Sequence, residues 1–389
     1  MPGLAPRLRE ARKRRGLNQR ELARLSKVSF SLISKLEQGT VEGTRLETVR
    51  TLAIALQVKT TDLLGTGGDS EEPAEPQRSP ALWEPTRRAL LGQIAPPDEA
   101  PTVEGVQQGL AELKPLLADN RYAEIALLLP PLLRDAEAIN GAGRAVRTRV
   151  LNVTGWVLTQ NREFNDAEPT LHQALDIASD QLDAAAAVNT LVWLYLRQGR
   201  LQEARGMATR WADEIEPRFS RATAAQLALW GRLLLGVSTA AIRDNRPGES
   251  EDAITLARAA ATRMGHEAVS DTSTTRTFGP VTVAMIRAEN AVIRDEPDKV
   301  LSIAERIPPN VLHPRSASRN RHHLDVASAY VSTRRPADAL NVLEDLGLTA
   351  PQWLVTQRYA QDIYRRAVSR RRTLTPQMRR VADLMGLPY

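Results

Sequence analysis

The 389-residue chain contains no cysteine, and aromatic residues make up only 4% of it. Without cysteine it has no disulfide, no thiolate zinc site, no iron–sulfur cluster and no cysteine nucleophile. The sequence also lacks a nucleotide-binding P-loop, an HExxH zinc motif and a Gly-x-Ser-x-Gly motif. We therefore expect a protein that is not an enzyme and that binds neither a metal nor a cofactor.

Long hydrophobic runs are missing as well. The longest apolar stretch, residues 125–133, is too short to cross a bilayer and contains two prolines. The N-terminus is basic, but no apolar segment of the kind found in secretory signals follows it. These features predict a soluble, cytoplasmic protein with no membrane partner.

Positive charge is unevenly distributed along the chain, whose formal net charge is +6 at pH 7. Residues 1–65 hold 13 Lys and Arg against six Asp and Glu, whereas residues 66–101 hold three against seven. A second group of arginines lies within residues 365–380. A basic head followed by a near-neutral body is typical of a nucleic-acid-binding module joined to another domain.

Composition divides the chain into three parts. Residues 1–65 are dense in short amphipathic helical segments. Residues 66–102 contain seven prolines and an acidic run, so we interpret them as a linker with one short helix over residues 85–94. Residues 103–389 keep a helical period and lack the alternation typical of strands. The expected fold class is all-α.

A turn pattern recurs along this helical body. Turns begin at positions 120, 162, 199, 245, 295 and 334, which are 37 to 50 residues apart. The best copy, residues 148–180, has Gly155 in its first helix and Ala167 and Ala174 in its second, where the helices would pack closely. The pattern resembles tetratricopeptide repeats, helix pairs that stack into an α-solenoid. An irregular helical bundle is the alternative.

Helix start and stop signals are clear in the head. Asn18 with Glu21, and Thr44 with Glu47, have the spacing of capping boxes, and Ser29 is a further N-cap. Together with glycines at positions 16 and 39, these signals predict five helices. They cover residues 5–15, 18–26, 30–38, 44–56 and 61–64.

The run LNQRELARLSKVSFSLISKLEQG, residues 17–39, resembles the helix-turn-helix of the lambda-repressor-like, or Xre, family. The resemblance implies a five-helix domain whose third helix enters the major groove of double-stranded DNA. It also implies a phosphate contact for Gln19, a minor-groove contact for Arg45 and a structural ion pair between Arg12 and Glu37. It further implies that Phe30, Ser31 and Lys35 of the third helix face the bases, and Ser34, which also points outward, is a further candidate DNA contact.

The chemistry of these side chains fits those roles. Lys35 can donate to guanine, Ser31 can donate or accept, and Phe30 can pack on thymine methyl groups. Positive side chains nearby can neutralise phosphates and make the affinity for DNA steeply dependent on salt. These are Arg20 and Lys27, together with Arg7, Arg14 and Arg24. An ordinary solvated helix face is the alternative for Ser31 and Lys35, and an anchor in a partner protein is the alternative for Phe30.

Two Asn–Trp pairs occupy equivalent places in consecutive repeats. Asn152 and Trp156 recur as Asn189 and Trp193, and each pair lies on one helical face. An Asn amide can hold a peptide backbone and a Trp adds apolar area, so we predict a ligand site that also includes the arginines nearby. These are Arg149 and Arg197. The alternative is that both pairs pack between neighbouring helices.

An Xre-type head followed by such repeats resembles the peptide-sensing quorum regulators of Gram-positive bacteria and similar actinobacterial regulators. The resemblance implies a homodimeric transcription regulator that binds paired half-sites, is nucleoid-associated on DNA and responds to a peptide or small-molecule effector. The alternative is a repeat scaffold that mainly binds another protein, with the head tethering it to DNA. Residues 365–380 form a capping helix, a dimer contact or an auxiliary DNA contact. The surroundings of His322 and His323 are a solvated face or, as the alternative, a basic rim for an anionic ligand or an acidic partner helix.

Overall fold

The computed structural model describes residues 3–41, 44–65, 80–139, 143–269, 277–308, 312 and 316–388. Within these ranges the regular structure is almost entirely α-helical, which confirms the all-α class. The acidic half of the expected linker, residues 66–79, lies outside the described residues.

Five short helices form the head around one small core. They are α1 (Leu4–Arg14), α2 (Gln19–Ser26), α3 (Phe30–Gln38), α4 (Leu46–Leu56) and α5 (Thr60–Leu64). Each helix contributes a completely buried aliphatic side chain, and their burial orients the five helices around a common centre. These side chains are Leu8, Leu22, Ile33, Leu52 and Leu63.

The cap signals account for where most of these helices begin. The Asn18 side chain accepts a hydrogen bond from the Glu21 N–H at 2.9 Å, and the Glu21 carboxylate accepts one from the Asn18 N–H at 2.8 Å. Ser29 caps α3 through its side-chain oxygen. The expected capping box at Thr44 is wrong, because α4 begins only at Leu46 and has no side-chain cap.

The body begins with α6 (Pro80–Leu90), and the described residues then form six helix pairs. The pairs are α7 (Val103–Ala118) with α8 (Tyr122–Ala138), α9 (Arg144–Gln160) with α10 (Phe164–Asp176), α11 (Gln181–Arg197) with α12 (Leu201–Glu214), α13 (Ala224–Arg243) with α14 (Pro247–Met264), α15 (Pro280–Ile293) with α16 (Pro297–Ala304), and α17 (Ala317–Ser332) with α18 (Pro336–Thr349). Successive first helices pack on one another, α9 on α11, α11 on α13, α13 on α15 and α15 on α17. This is the stacking expected of an α-solenoid.

The same turn joins the two helices of every pair. Its first residue is left-handed, with φ between 57° and 74°, and the next has ψ between 59° and 69°. The left-handed residues are Asn120, Arg162, Gly199, Asn245, Asp295 and Arg334. Residues other than glycine rarely adopt this backbone conformation, so its recurrence at each turn marks a repeated unit. These are the positions that the sequence pattern predicts.

Small residues lie where the helices of a pair cross. A Cβ atom on Gly155 of α9 would come within 2.4 Å of Leu171 of α10. Ala167 and Ala174 of α10 are completely buried. The close approach of α9 and α10 therefore depends on the small residues that the repeat pattern identifies.

The linker helix differs from its prediction in both position and role. α6 begins five residues earlier than expected and packs on α8. Its Trp83 is 2% exposed and belongs to the largest hydrophobic core of the body. Arg87 of α6 donates to Asp166 at 2.6 Å and to Glu163 at 2.9 Å, both on the second repeat. The packed body thus extends back into the segment predicted to be linker.

Among the described residues, one small two-stranded sheet lies between the helices. β1 (Ala268–Val269) pairs antiparallel with β2 (Thr277–Phe278) through only two residue pairs, too few for an alternating sequence pattern to reveal. Phe278 is buried against Gly231 of α13, where a Cβ atom would come within 2.0 Å of its ring.

Helix α13 is, among the described residues, the one that is long and apolar enough to cross a membrane by length and composition. Most of its residues are buried in the body, where it packs on α11, α12, α14 and α15. This burial is what the core helix of a soluble protein shows.

Three short helices follow the last pair. They are α19 (Pro351–Val355), α20 (Arg358–Val368) and α21 (Pro376–Leu384). With α17 and α18 they enclose a second core. Two arginines of the basic segment hold these helices in place: Arg366 donates to Ser328 at 3.1 Å and Arg380 pairs with Glu344 at 2.8 Å. This arrangement favours the capping-helix alternative for residues 365–380.

Candidate nucleic-acid interface

The exposed face of α3 is the centre of the candidate interface. Ile33 and Leu36 of this helix point into the core of the head. Phe30, Ser31 and Lys35 are exposed on the opposite side, with Phe30 46% exposed. A helix presenting such a face fits the major groove of B-DNA, and the residues near its N-terminus reach the base edges.

Neighbouring side chains flank this face. The Arg20 guanidinium lies 5.9 Å from the centre of the Phe30 ring, within cation–π range. Ser34 is half-buried and accepts a hydrogen bond from Gln38 at 3.2 Å. Lys27, at the C-terminal end of α2, is exposed like Arg20. Arg20 and Lys27 therefore place positive charge beside the residues predicted to read bases.

A buried polar cluster lies beneath the face and joins α1, α2 and α3. Arg12 donates to both oxygens of the Glu37 carboxylate, at 2.6 and 2.7 Å. The Gln19 amide donates to the same carboxylate at 2.8 Å. Arg12 also donates to the Leu17 carbonyl at 2.7 Å, which anchors the turn between α1 and α2. The ion pair implied by the family resemblance is thus present, with Gln19 as a third member that the sequence does not reveal.

Glu37 is only 3% exposed, so its charge depends on this cluster. Burial alone would raise the pKa of its carboxyl group, but the hydrogen bonds from Arg12 and Gln19 and the positive charges of Arg12 and Arg9 lower that pKa below the usual value. The Arg12 pKa is raised, mainly by its hydrogen bond to Glu37. The cluster therefore stays ionised and holds α3 at a fixed angle to α1 and α2.

Arg45 makes a contact that the sequence does not predict. Its guanidinium lies 2.8 Å from the Asp362 carboxylate of α20, at the far end of the body. The two residues are 317 positions apart in the chain. The residue expected to enter the minor groove is paired with the body in this conformation.

The head docks on the turn between α13 and α14. The Thr60 hydroxyl donates to the Arg243 carbonyl at 2.8 Å, and the Thr61 N–H donates to the Asp244 carboxylate at 2.9 Å. In the opposite direction, the Asn245 amide donates to the Val58 carbonyl of the head at 3.2 Å. The first turn of α5 is thus held by the body through hydrogen bonds.

Arg50 of α4 adds a positive charge from the head to this junction. Its Nε donates to the Ile242 carbonyl at 3.3 Å. Burial, together with the nearby positive charge of Arg243, lowers the pKa of Arg50 to about 10. Arg243, which lowers this pKa, is itself paired with Glu289 of α15, so the positive charge of Arg50 lies beside an ion pair of the body.

The Asn–Trp pairs lie between α9 and α11. Asn152, Trp156 and Asn189 are buried, and Trp193 is half-buried. The Trp156 and Trp193 rings stack with their centres 6.0 Å apart. Asn152 accepts a hydrogen bond from the Thr190 hydroxyl at 2.7 Å. These contacts support the packing alternative, and a ligand contact by the pairs stays a prediction.

The two arginines beside the pairs also have partners within the body. Arg149 lies 3.5 Å from the Asp183 carboxylate, and the Arg197 guanidinium lies 5.7 Å from the centre of the Trp193 ring. Both side chains are half-buried. They therefore stabilise the helices that carry the Asn–Trp pairs, whatever else they bind.

Comparison with known proteins identifies the head. A helix-turn-helix family model matches residues 8–63, a span that runs from within α1 to within α5. No curated protein and no solved structure matches the chain. Residues 8–63 thus form an Xre-like helix-turn-helix domain, and the protein is a DNA-binding transcription regulator.

Proposed function

We propose that the protein is a cytoplasmic, homodimeric regulator that binds an operator with paired half-sites and whose body binds a peptide or small-molecule effector. The observation that carries this proposal is the combination of an open α3 face with a head that is hydrogen-bonded to the solenoid. An effector that shifts the solenoid turns would change the position of the head. The body is proposed to be tetratricopeptide-like and to have no catalytic role.

The proposed division of the chain follows from its packing. The sequence places the head at residues 1–65 and the body at residues 103–389, and the packing of α6 on α8 extends that body back to residue 80. A single head contacts too little DNA for tight specific binding, which supports two heads per operator.

Lys35→Ala is expected to weaken binding to the preferred operator by roughly tenfold and to relax the base preference at one position, because one base-edge contact is lost. Selection from a random double-stranded DNA pool first defines the operator, and fluorescence anisotropy then measures the Kd. Arg24→Ala is the matched control, since Arg24 is exposed on α2. It should weaken all sequences alike and reduce the salt slope by about 1.

Equal base preference in Lys35→Ala and the unmodified chain would remove Lys35 from the reading residues. If instead the full chain shows no sequence preference at all and co-purifies with one fixed protein partner, the scaffold alternative replaces the regulator proposal.

Asp362→Asn is expected to tighten operator binding by about twofold to fivefold. In the variant, Arg45 can contact DNA without first breaking its ion pair with Asp362. Both side chains are partly exposed, which keeps the effect small. Asp338→Asn is the control: it removes the same charge from an exposed ion pair with Arg335 within the body. An identical change in Kd for both variants would show that only net charge matters.

A further inference from the structure

A cavity of about 280 Å³ lies within the body between α15, α16, α17 and α18. Most of its wall is apolar, and the side chains come from all four helices and from the segment after α16. They include Met285, Ile307, Leu312, Val326 and Val342. The cavity is smaller than those that hold drug-sized ligands, so it suits a compact molecule and is too small for a peptide.

The polar side of the cavity comes from one helix. Arg319, His322 and His323 lie at positions i, i+3 and i+4 of α17, so they share one face of it. His322 is only 6% exposed, and its Nδ1 atom is buried without a hydrogen-bond partner among the described residues. Leaving a buried polar atom without a hydrogen bond destabilises the folded state. A bound polar group would remove that cost.

Arg319 supplies the positive charge of the cavity. Burial, together with the charge of His323, lowers the pKa of His322 to about 4. The pKa of His323 is also lowered, chiefly by burial and then by the charge of Arg319, against the opposing charge of Asp345 on α18. Both imidazoles are therefore neutral near pH 7, and each offers one donor and one acceptor nitrogen. Within the described part of the chain, no carboxylate forms a salt bridge with Arg319.

We propose that this cavity binds a small organic acid with an apolar body. The carboxylate pairs with the Arg319 guanidinium and accepts a hydrogen bond from His322 Nδ1, while the hydrocarbon part contacts Met285, Ile307 and Val326. Arg319 repels cations, and a neutral molecule leaves the guanidinium without its counter-charge. The inference rests on the proposed function in one respect, because it names the class of the effector.

The same helix connects the cavity to the head junction. Arg321, Asp325 and Ser328 lie on another face of α17, and the Arg321 guanidinium lies 4.7 Å from the centre of the Tyr359 ring. Burial lowers the pKa of Arg321, but the negative charges of Asp325, Glu289 and Glu47 outweigh it and the net shift is upward. Glu47 belongs to α4 of the head. Helix α17 also packs on α20, whose Asp362 pairs with Arg45 of the head, so a ligand that displaces α17 would shift this contact with the docked head.

Titration calorimetry of the full chain with octanoate tests the site directly, with octanamide as the uncharged isostere. Octanoate is expected to bind about tenfold or more tightly than octanamide, because only the carboxylate forms a charge-assisted contact with Arg319. Arg319→Gln should abolish this preference while octanamide binding is retained. Arg371→Gln, which changes an exposed arginine of the C-terminal segment, should leave it intact. Val326→Trp should remove binding of both ligands by filling the cavity.

Circular dichroism of each variant checks that its helices remain folded. Equal binding of octanoate and octanamide, or a preference that survives in Arg319→Gln, would overturn the proposal, as would the absence of octanoate binding. Measuring the operator Kd with and without octanoate then tests whether binding in the cavity changes the affinity for DNA. Binding of octanoate with an unchanged operator Kd supports the site and contradicts its effector role.

Discussion

Glu37→Ala is expected to destabilise the head by about 3–5 kcal/mol, because it leaves the mostly buried Arg12 guanidinium without its counter-charge. Arg12 has 11% of its side chain exposed and the Glu37 side chain only 1%, so water cannot replace the lost carboxylate. The Gln19 amide loses its acceptor at the same time. Since these groups join α1, α2 and α3, the loss should loosen the recognition helix and abolish specific DNA binding.

Hydrogen exchange of the full chain, followed by mass spectrometry, measures this effect locally. All six tryptophans lie at position 83 or beyond, so tryptophan fluorescence does not report on the head. Amides of α1 to α3 should exchange roughly a hundredfold or more faster in Glu37→Ala, while those of α9 to α13 stay unchanged. Glu10→Ala is the control, because Glu10 is exposed and lies 3.7 Å from the exposed Arg14. Indistinguishable exchange in the two variants would mean that the buried pair does not hold the helices together.

The same pair gives the head a defined response to acid. The pKa of Glu37 is lowered in the folded head. The ionised carboxylate therefore contributes fully to the stability of the head above the unfolded pKa of about 4.3, and this stability is lost as the pH falls through the folded pKa. In Glu37→Ala, the stability of the head should no longer depend on pH through this carboxyl group.

Much of the head was predictable because its signals are local. The Asn18 capping box and the Ser29 cap act within a few residues, and the apolar positions repeat with the helical period. The failure at Thr44 is local too, since α4 begins two residues later than the expected cap. The pairing of Arg45 with Asp362 has no such signal, because the two residues meet only when the head lies against the body.

The body shows the same division between local and long-range information. Its turns were predictable, since the left-handed residue and the start of the next helix occupy a few adjacent positions. The cavity beside His322 was not, because its wall comes from four helices and depends on a gap between side chains rather than on a motif. A His-His pair near arginines indicates only that an anionic group would be tolerated there.

Trp83→Ala is expected to destabilise the body by about 3–5 kcal/mol, the cost of deleting a large buried aromatic side chain and leaving a cavity. Trp83 packs in the same core as residues of α7, α8 and α9. If α6 were a passive linker helix, this substitution would change little. The expected loss therefore distinguishes a helix that belongs to the body from one that merely connects it to the head.

Leu82→Ala is the matched control, because Leu82 is the preceding residue of the same helix and is 37% exposed. Its effect should stay within about 0.5 kcal/mol, as for most surface substitutions. Hydrogen exchange of α6 to α8 in the full chain reports both changes, with the head amides as internal reference. Equal protection of α6 in Trp83→Ala and Leu82→Ala would place α6 outside the body core. Faster exchange spreading from α6 into α8 in Trp83→Ala alone would show that the solenoid begins at α6. The segment that joins the head to the body would then be shorter than the linker predicted over residues 66–102.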